Sequence, residues 1–197
     1  MRIIAGKWRG RRIQAPSGAD TRPTGDRARE ALFSSLHSRL GSFEELRILD
    51  AFAGSGALGL ESLSRGAAFL VAVESSAKAC RVVESNYLSL QDKQRYDAAT
   101  DTSFRLYRGD IFRMLPRLQD LRIDIAFFDP PYDLPDKKLS ELLTLLAQHE
   151  VFAIGALIVA ERAKSSLLEE FLPEGFTLLD TKSKGDTSLY FVRRDIS

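Results

Sequence analysis

The sequence predicts an α/β protein: an open, mostly parallel seven-stranded sheet, helices on both faces and an antiparallel hairpin at the C-terminal end. Three observations carry that expectation. From residue 26 onward, short apolar runs alternate with stretches of helical period, the pattern of strands joined by helical crossovers. The first apolar run ends in a glycine-rich turn, Gly54-Ser55-Gly56. The closing stretch FTLLDTKSKGDTSLYFVRR reads as two strands around Lys184-Gly185-Asp186, a hairpin signal.

Taken in order, residues 26–40 have the spacing of an amphipathic helix. RILDAF (47–52) is a strand, and ALGLESLSR (57–65) a helix stopped by Gly66. FLVAVE (69–74) is a buried strand, followed by a helix over 76–90 with Ala79, Val82, Val83 and Leu90 on its apolar side. The polar residues 91–103 form a loop. FRLYRGD (104–110) alternates as a strand does, and a helix follows over 111–117. IDIAFFD (123–129) is a strand and 136–148 a leucine-rich helix. GALIVAER (155–162) is a further buried strand, and a short helix is expected over 165–172. No internal repeat or low-complexity linker divides the chain, so 26–197 is expected to be one domain behind a basic N-terminal arm, 1–25.

Composition narrows the function classes. The 197 residues are 44% hydrophobic and 28% charged, enough for one domain that buries about 70% of its unfolded surface. The start, MRIIAGKWRGRR, is too basic and broken for a secretory signal, and no apolar run reaches membrane-spanning length. A cytoplasmic protein without membrane contact is expected. A single cysteine, Cys80, excludes an internal disulfide, and with only His37 and His149 beside it no metal centre is expected. The net charge of +1 is uneven: residues 1–29 hold eight Lys or Arg against Asp20 and Asp26, leaving the rest slightly acidic. Such an arm suggests a polyanionic partner. Trp8 inside it could stack on a base or pack beneath the arm.

Open sheets of this kind bind ligands at the carboxyl ends of their strands. The residues that matter are then Asp50 to Gly56, Glu74, Asp110 and Asp129 to Tyr132. Gly54-x-Gly56-x-x-Gly59 with Glu74 closing the next strand satisfies a dinucleotide fingerprint, but S-adenosylmethionine places an adenosine in the same way. Asp50 discriminates. A carboxylate at the mouth of the glycine turn repels a pyrophosphate and attracts an ammonium. No lysine follows the glycines, so a P-loop is excluded. Asp110 can accept from an adenine amine with Ile111 against the ring, or it can cap the helix behind it.

The stretch Asp129-Pro130-Pro131-Tyr132 ends a buried strand in a rigid loop. Proline removes backbone donors and drives the residue before it to extended geometry. The free carbonyls, a carboxylate and a flat ring suit one job, gripping a planar base by an exocyclic amine. Asp129 and the Pro130 carbonyl can accept the amine hydrogens, and Tyr132 can hold the ring by stacking.

The pattern D-x-F-x-G-x-G with a later DPPY resembles the Rossmann-like methyltransferases that act on amino groups. RIIAGKWRGRRI, TRPTGDRAREALFSSL and LDAFAGSGALGLESLSRGA further resemble the RsmD family, over nearly the whole chain. That resemblance implies a class I methyltransferase fold and transfer of a methyl group from S-adenosylmethionine to N2 of a guanine in small-subunit ribosomal RNA, free or in the assembled particle. It implies catalysis by Asp129, Pro130, Pro131 and Tyr132. It implies cofactor contacts at Asp50, Phe52, Ala53, Gly54, Ser55, Gly56, Glu74, Ser75, Asp110 and Ile111, with Thr24 beside them. RNA would meet Arg2, Lys7, Arg9, Arg11, Arg12, Arg22 and Arg27. A monomer is expected.

Other classes explain less. An adenine-N6 methyltransferase shares DPPY, but one acting on DNA would carry a recognition domain for which 197 residues leave little room. An NAD-type oxidoreductase accounts for the glycines, not for Asp50 or the proline pair. A non-catalytic RNA-binding module accounts for the arm alone.

Overall fold

A computed structural model of the chain describes residues 1–16, 25–92 and 96–195. In chain order the elements are α1 (Asp26–Leu40), β1 (Arg47–Asp50), α2 (Ala57–Ser64), β2 (Phe69–Glu74), α3 (Ala77–Leu90), β3 (Phe104–Arg108) and α4 (Ile111–Leu118). They continue with β4 (Ile123–Phe128), α5 (Asp136–Gln148), β5 (Phe152–Ala163), a 3₁₀ turn (Leu168–Phe171), β6 (Phe176–Lys184) and β7 (Thr187–Arg194). The seven strands form one sheet in the order β3-β2-β1-β4-β5-β7-β6. Pairing is parallel from β3 through to β5, and antiparallel where β7 joins β5 and β6. This is the expected architecture.

The strand sequences explain the layers. β4, IDIAFF, sits mid-sheet with both faces covered, so it reads as a continuous apolar run. Ile125 and Phe127 point to one face, where they pack with Leu32, Phe33 and Leu36 of α1 and Leu60 and Leu63 of α2. Ala126 and Phe128 point to the other, against Leu115 of α4 and Leu139, Leu142 and Leu146 of α5. The Phe127 ring lies 6.0 Å from Phe33. Its truncation to alanine would open a cavity costing about 3–5 kcal/mol. β6, at the edge, instead alternates buried or half-buried residues (Phe176, Leu178, Asp180) with exposed ones before running exposed to its end.

Some boundaries differ from expectation, for local reasons. β1 stops at Asp50, where its pairing with β4 ends and the chain turns toward the glycines. β5 starts three residues early, at Phe152, and its pairing with β4 is irregular near Ile123 and Ile125. There Gly155 takes a left-handed φ of 78°. The helix expected over 165–172 is one 3₁₀ turn. Asp136 accepts from the Leu167 amide and the Ser166 hydroxyl just before it, and only Leu168 of its four residues is buried, too short an apolar stripe to drive a helix.

Residues 1–16 lie against the body. Arg2 and Arg12 form an antiparallel bridge, and Ile3, Trp8 and Ile13 are buried in the core shared with α1 and α2. The Ile4 and Ala5 amides donate to the buried Glu61 carboxylate at 2.7 and 3.0 Å. Lys7 donates its amide to the Ser64 carbonyl at 2.7 Å. Gly6 permits this approach: with φ at 81°, any Cβ there would run into that same carbonyl. Of the two roles open to Trp8, the packed one is observed. Among the described residues no helix is long and apolar enough to cross a membrane.

Candidate active site

The strand order reverses between β1 and β4. The crevice beyond their carboxyl ends is the ligand position of such sheets, and two acids frame it.

On the β1 side, Asp50 is 3% exposed. Its Oδ2 accepts from the Gly59 amide at 3.1 Å. Position 59 has room for no side chain: a Cβ would lie 2.6 Å from Leu70 Cδ1 and 3.3 Å from the Asp50 carboxylate. Burial pushes the Asp50 carboxyl up to about 7, the Gly59 hydrogen bond pulls it down, and Glu74 adds a like-charge push. Glu74 ties the turn together. Its Oε2 accepts from the Gly54 amide at 2.8 Å and its Oε1 from the Ser76 amide at 2.7 Å. Gly54 and Gly56 have φ of 55° and 75°, backbone that an L side chain rarely adopts. A Cβ on Gly54 would meet nothing within 4 Å, so open space faces the turn.

The neighbours of this turn are placed as follows. Ala53 is buried, and its amide donates to the Val73 carbonyl at 3.0 Å. Phe52 packs near Phe128, ring centres 6.3 Å apart. The Ser55 carbonyl accepts from Asn86 Nδ2 at 2.9 Å, and Asn86 also binds the Gln14 backbone, so the turn is coupled to the N-terminal segment. Ser75 is exposed. Asp110 is exposed and caps α4, accepting from the Phe112 amide at 3.0 Å. Ile111 is only 3% exposed, so a ring could touch only its edge. Thr24 lies outside the described residues.

Three carboxylates thus stand at or just beyond the ends of β1, β2 and β3, and the glycine turn carries no cation. That donor set fits a ligand bearing an amine and hydroxyls, as S-adenosylmethionine does, and not a pyrophosphate.

On the β4 side, Asp129 follows Phe128, which pairs with Ala160 of β5. The next residue of each strand, Asp129 and Glu161, is therefore a carboxylate. Both line a cavity of about 530 Å³ between the Asp129–Tyr132 loop, α1 and the β6–β7 hairpin. Its walls are mostly apolar, from Leu32, Phe128, Val159, Leu189 and Phe191, with Tyr132 at one side and Arg27, Lys182, Lys184 and Asp186 also in the lining. Tyr132 is 59% exposed. Asp129 keeps an open face toward the cavity, yet desolvation of its carboxyl, then the charges of Glu161 and Asp50, push it up to about 7 against the pull of Arg162. Burial raises Glu161 as well. Neither carboxylate makes a hydrogen bond or ion pair among the described residues. The loop behind Pro130 and Pro131 is fastened from below. Leu134 donates its amide to the Pro131 carbonyl at 3.0 Å, while the buried Arg162 guanidinium donates to the Leu134 carbonyl and, at 3.0 Å, to Asp136.

The structure therefore brings Asp50 and Asp129 to one crevice, close enough to feel each other's charge. It spreads the cations of the N-terminal segment more widely. Arg9 and Arg12 are exposed. Arg2 pairs with Asp26 at 3.2 Å, and Lys7 sits 4.5 Å over the Trp8 ring. Arg11 donates to the Ser89 and Leu90 carbonyls, the latter at 2.8 Å, at the end of α3. Arg27 lines the cavity. Arg22 lies outside the described residues. Arg29, counted among the basic residues, is buried beneath the segment, where it donates to the Arg2 carbonyl and to Asp26. Sequence reasoning passed over Glu161, the last residue but one of GALIVAER, whereas Glu74 is the last of FLVAVE. It also passed over Glu61 and Asn86, whose contacts with the N-terminal segment span more than 50 residues and leave no local signal.

Residues 1–193 match the family described as conserved hypothetical protein 95. The chain is 35% identical to the putative rRNA methyltransferase YlbH of Bacillus subtilis over 86% of each chain. It is 33% identical to ribosomal RNA small subunit methyltransferase D of Haemophilus influenzae, over 95% of this chain and 91% of that one. Among solved structures it superposes on the putative methyltransferase yhhF of Escherichia coli with a TM-score of 0.80 and 30% identity, covering 100% and 99% of the two chains.

Proposed function

The chain belongs to the RsmD family, and from that premise we propose that it transfers a methyl group from S-adenosylmethionine to the exocyclic N2 amine of a guanine in small-subunit ribosomal RNA. It is an rRNA methyltransferase of the class I fold. One observation carries the reading: Asp50 and Asp129 end neighbouring strands at the switch point and act on one another electrostatically, with an open glycine turn on one side and an apolar cavity on the other.

Asp50 takes the cofactor's ammonium, Glu74 its ribose hydroxyls and Asp110 the adenine amine. Phe52, Ala53, Gly54, Ser55, Gly56, Ser75 and Ile111 shape the space around them, with Thr24 alongside. Once bound, S-adenosylmethionine supplies an electrophilic methyl group on a sulfonium. The protein's own work is on the amine, whose lone pair is delocalised into the purine ring. Asp129 and the Pro130 carbonyl accept its two hydrogens, which concentrates the lone pair on nitrogen and aims it. As nitrogen gains positive charge the Asp129 interaction strengthens, and interactions of that kind raise turnover. A carboxyl near 7 can also receive the proton the amine gives up. Pro131 stiffens the loop and Tyr132 supplies the stacking face. The cations of residues 1–27 hold RNA phosphates without reading sequence. The enzyme works as a cytoplasmic monomer without metal, on free RNA or on the assembled particle.

The DPPY loop also suits adenine-N6 transfer, and one experiment decides. Unmethylated small-subunit rRNA and particles are incubated with methyl-labelled S-adenosylmethionine, digested, and the nucleosides resolved by mass spectrometry. Labelled N2-methylguanosine is expected. Labelled N6-methyladenosine would replace the target base, and no labelled nucleoside from either substrate would overturn the activity.

A further inference from the structure

From the pairing of Asp129 with Glu161 at the ends of β4 and β5, we infer that Glu161 is the residue that selects guanine, by accepting the hydrogen bond of the base's N1–H while Asp129 holds the N2 amine. The inference rests on the proposed methyl transfer to guanine and assigns the specificity of the same site.

Three observations support it. First, Glu161 is held by the sheet. Glu161 pairs with Leu189 of β7, and its neighbour Ala160 pairs with Phe128 of β4, so its backbone is held by the sheet where the β4 pairing ends. Second, the carboxylate is half-buried and has no hydrogen-bond or ion-pair partner among the described residues, and it faces the cavity together with Asp129. A carboxylate placed in an apolar-walled space without a partner costs free energy, and a ligand that brings a donor recovers it. Third, the cavity is built for a nucleoside. Its volume of about 530 Å³ lies in the range of small-ligand sites. Leu32, Val159 and Phe191 supply apolar wall, and the basic Arg27 and Lys184 belong to its lining, where the phosphates of an extruded nucleotide would run.

The chemistry of the bases then decides. The Watson–Crick edge of guanine presents two adjacent donors, N1–H and the N2 amine, which match two adjacent carboxylates. Adenine presents one amine beside a bare N1 acceptor. With the adenine amine on Asp129, its N1 lone pair would face the Glu161 carboxylate, two acceptors opposed. Sites that hydrogen-bond a substrate donor reject analogues lacking it far more strongly than apolar pockets reject a missing methylene. Asp129 alone, which needs only an amine, could not make this distinction.

The test uses the full chain and a synthetic RNA spanning the guanine that wild-type enzyme methylates, with that guanine kept or replaced by 2-aminopurine. 2-Aminopurine keeps the N2 amine but turns N1 into an acceptor. Single-turnover rates are measured at pH 8.5, for wild type, Glu161→Gln and Glu161→Ala, beside S-adenosylmethionine affinity for each. Wild type is expected to prefer guanine by about ten- to a hundredfold, the worth of one charged hydrogen bond. Glu161→Gln is expected to narrow that preference to about threefold, because its amide can turn and donate to N1. Glu161→Ala should lose about ten- to a hundredfold on guanine, with cofactor affinity unchanged. A Glu161→Gln enzyme that keeps both the wild-type rate and the wild-type preference overturns the role of Glu161 and leaves the methyltransferase reading intact. A Glu161→Ala enzyme whose only change is a lower affinity for cofactor would likewise overturn it. A wild-type enzyme that labels no guanine in this RNA, either free or reconstituted into small-subunit particles, overturns the proposed function, and this inference with it.

Discussion

Asp50 and Asp129 invite comparison, because they close neighbouring strands of one sheet and burial pushes both carboxyls to about 7. Their surroundings differ. Asp50 is tied into the body by the Gly59 amide, and its turn is held by Glu74, Asn86 and the N-terminal segment. Asp129 accepts no hydrogen bond among the described residues and opens on a cavity whose far walls come from α1 and the C-terminal hairpin. One side of the crevice is pre-satisfied and keeps its shape before any ligand arrives. The other leaves the Asp129 and Glu161 carboxylates without a hydrogen bond among the described residues, to be answered by the donors of a base. A cofactor common to many reactions can be held by a finished site, whereas discrimination between bases needs groups that only the right base satisfies.

The comparison breaks first at Asp129. If it acts on the amine alone, Asp129→Ala should reduce single-turnover methyl transfer by about a hundred- to a thousandfold, the usual cost of one preorganised group aimed at developing charge. Cofactor affinity, read by calorimetry, should stay as in wild type. A rate within threefold of wild type would remove Asp129 from the chemistry.

Asp50→Ala should do the reverse. The cofactor's ammonium loses its counter-charge, worth about 1.5–3 kcal/mol for a charged hydrogen bond, so affinity should fall about ten- to a hundredfold. An unchanged dissociation constant would take Asp50 out of the site.

The shared pKa gives a smaller and sharper test. A carboxyl raised from 3.8 to about 7 keeps its proton in the native state where the unfolded chain has lost it. Stability of the free protein should therefore fall as pH rises from about 4 to about 7, and level off above. Cofactor binding needs the ionised form, so affinity should rise about tenfold per pH unit below 7 if one proton is released, and flatten above. Asp50→Asn should abolish that slope while Asp129→Asn leaves most of it. A slope that survives Asp50→Asn would assign the proton to another group.

How legible each side was follows from the same contrast. The cofactor side is contiguous or strand-terminal: Asp50 to Gly56, Glu74 and Asp110 each sit where one apolar run stops, and periodicity alone locates such stops. The parallel sheet and its hairpin were readable for the same reason. The proposed base side is assembled from residues 25–35, Leu58, 128–132, 159–161 and 182–191, and no local pattern announces that these segments meet. Glu161 hid because β5 continues to Ala163, so the acid looked like strand interior. In the N-terminal segment charge was the legible signal. Its cations marked a basic arm, while Ile3, Trp8 and Ile13, spaced without a simple period, gave no sign that they dock it.

That segment gives the smallest expected effect, and it separates grip from choice. Arg9 and Arg12 are exposed and take no part in the docking contacts made by Arg11 and the buried Trp8. Replacing both with alanine should leave the fold and cofactor affinity unchanged. Removing one phosphate partner should lower the slope of log affinity against log salt by roughly 0.7–0.9, so removing two lowers it by roughly 1.4–1.8. The weakening should be the same for RNAs carrying guanine or 2-aminopurine at the target, because phosphate contacts carry no base information. Trp8→Ala is the control for structure: it should lower the melting temperature, through the about 3–5 kcal/mol that deleting a buried aromatic costs, without touching the salt slope of the protein that remains folded. RNA-binding isotherms at four salt concentrations measure both. If the Arg9 and Arg12 variant instead changes the preference between the two bases, then the segment reaches the target nucleotide, and the division between a gripping region and a choosing region fails.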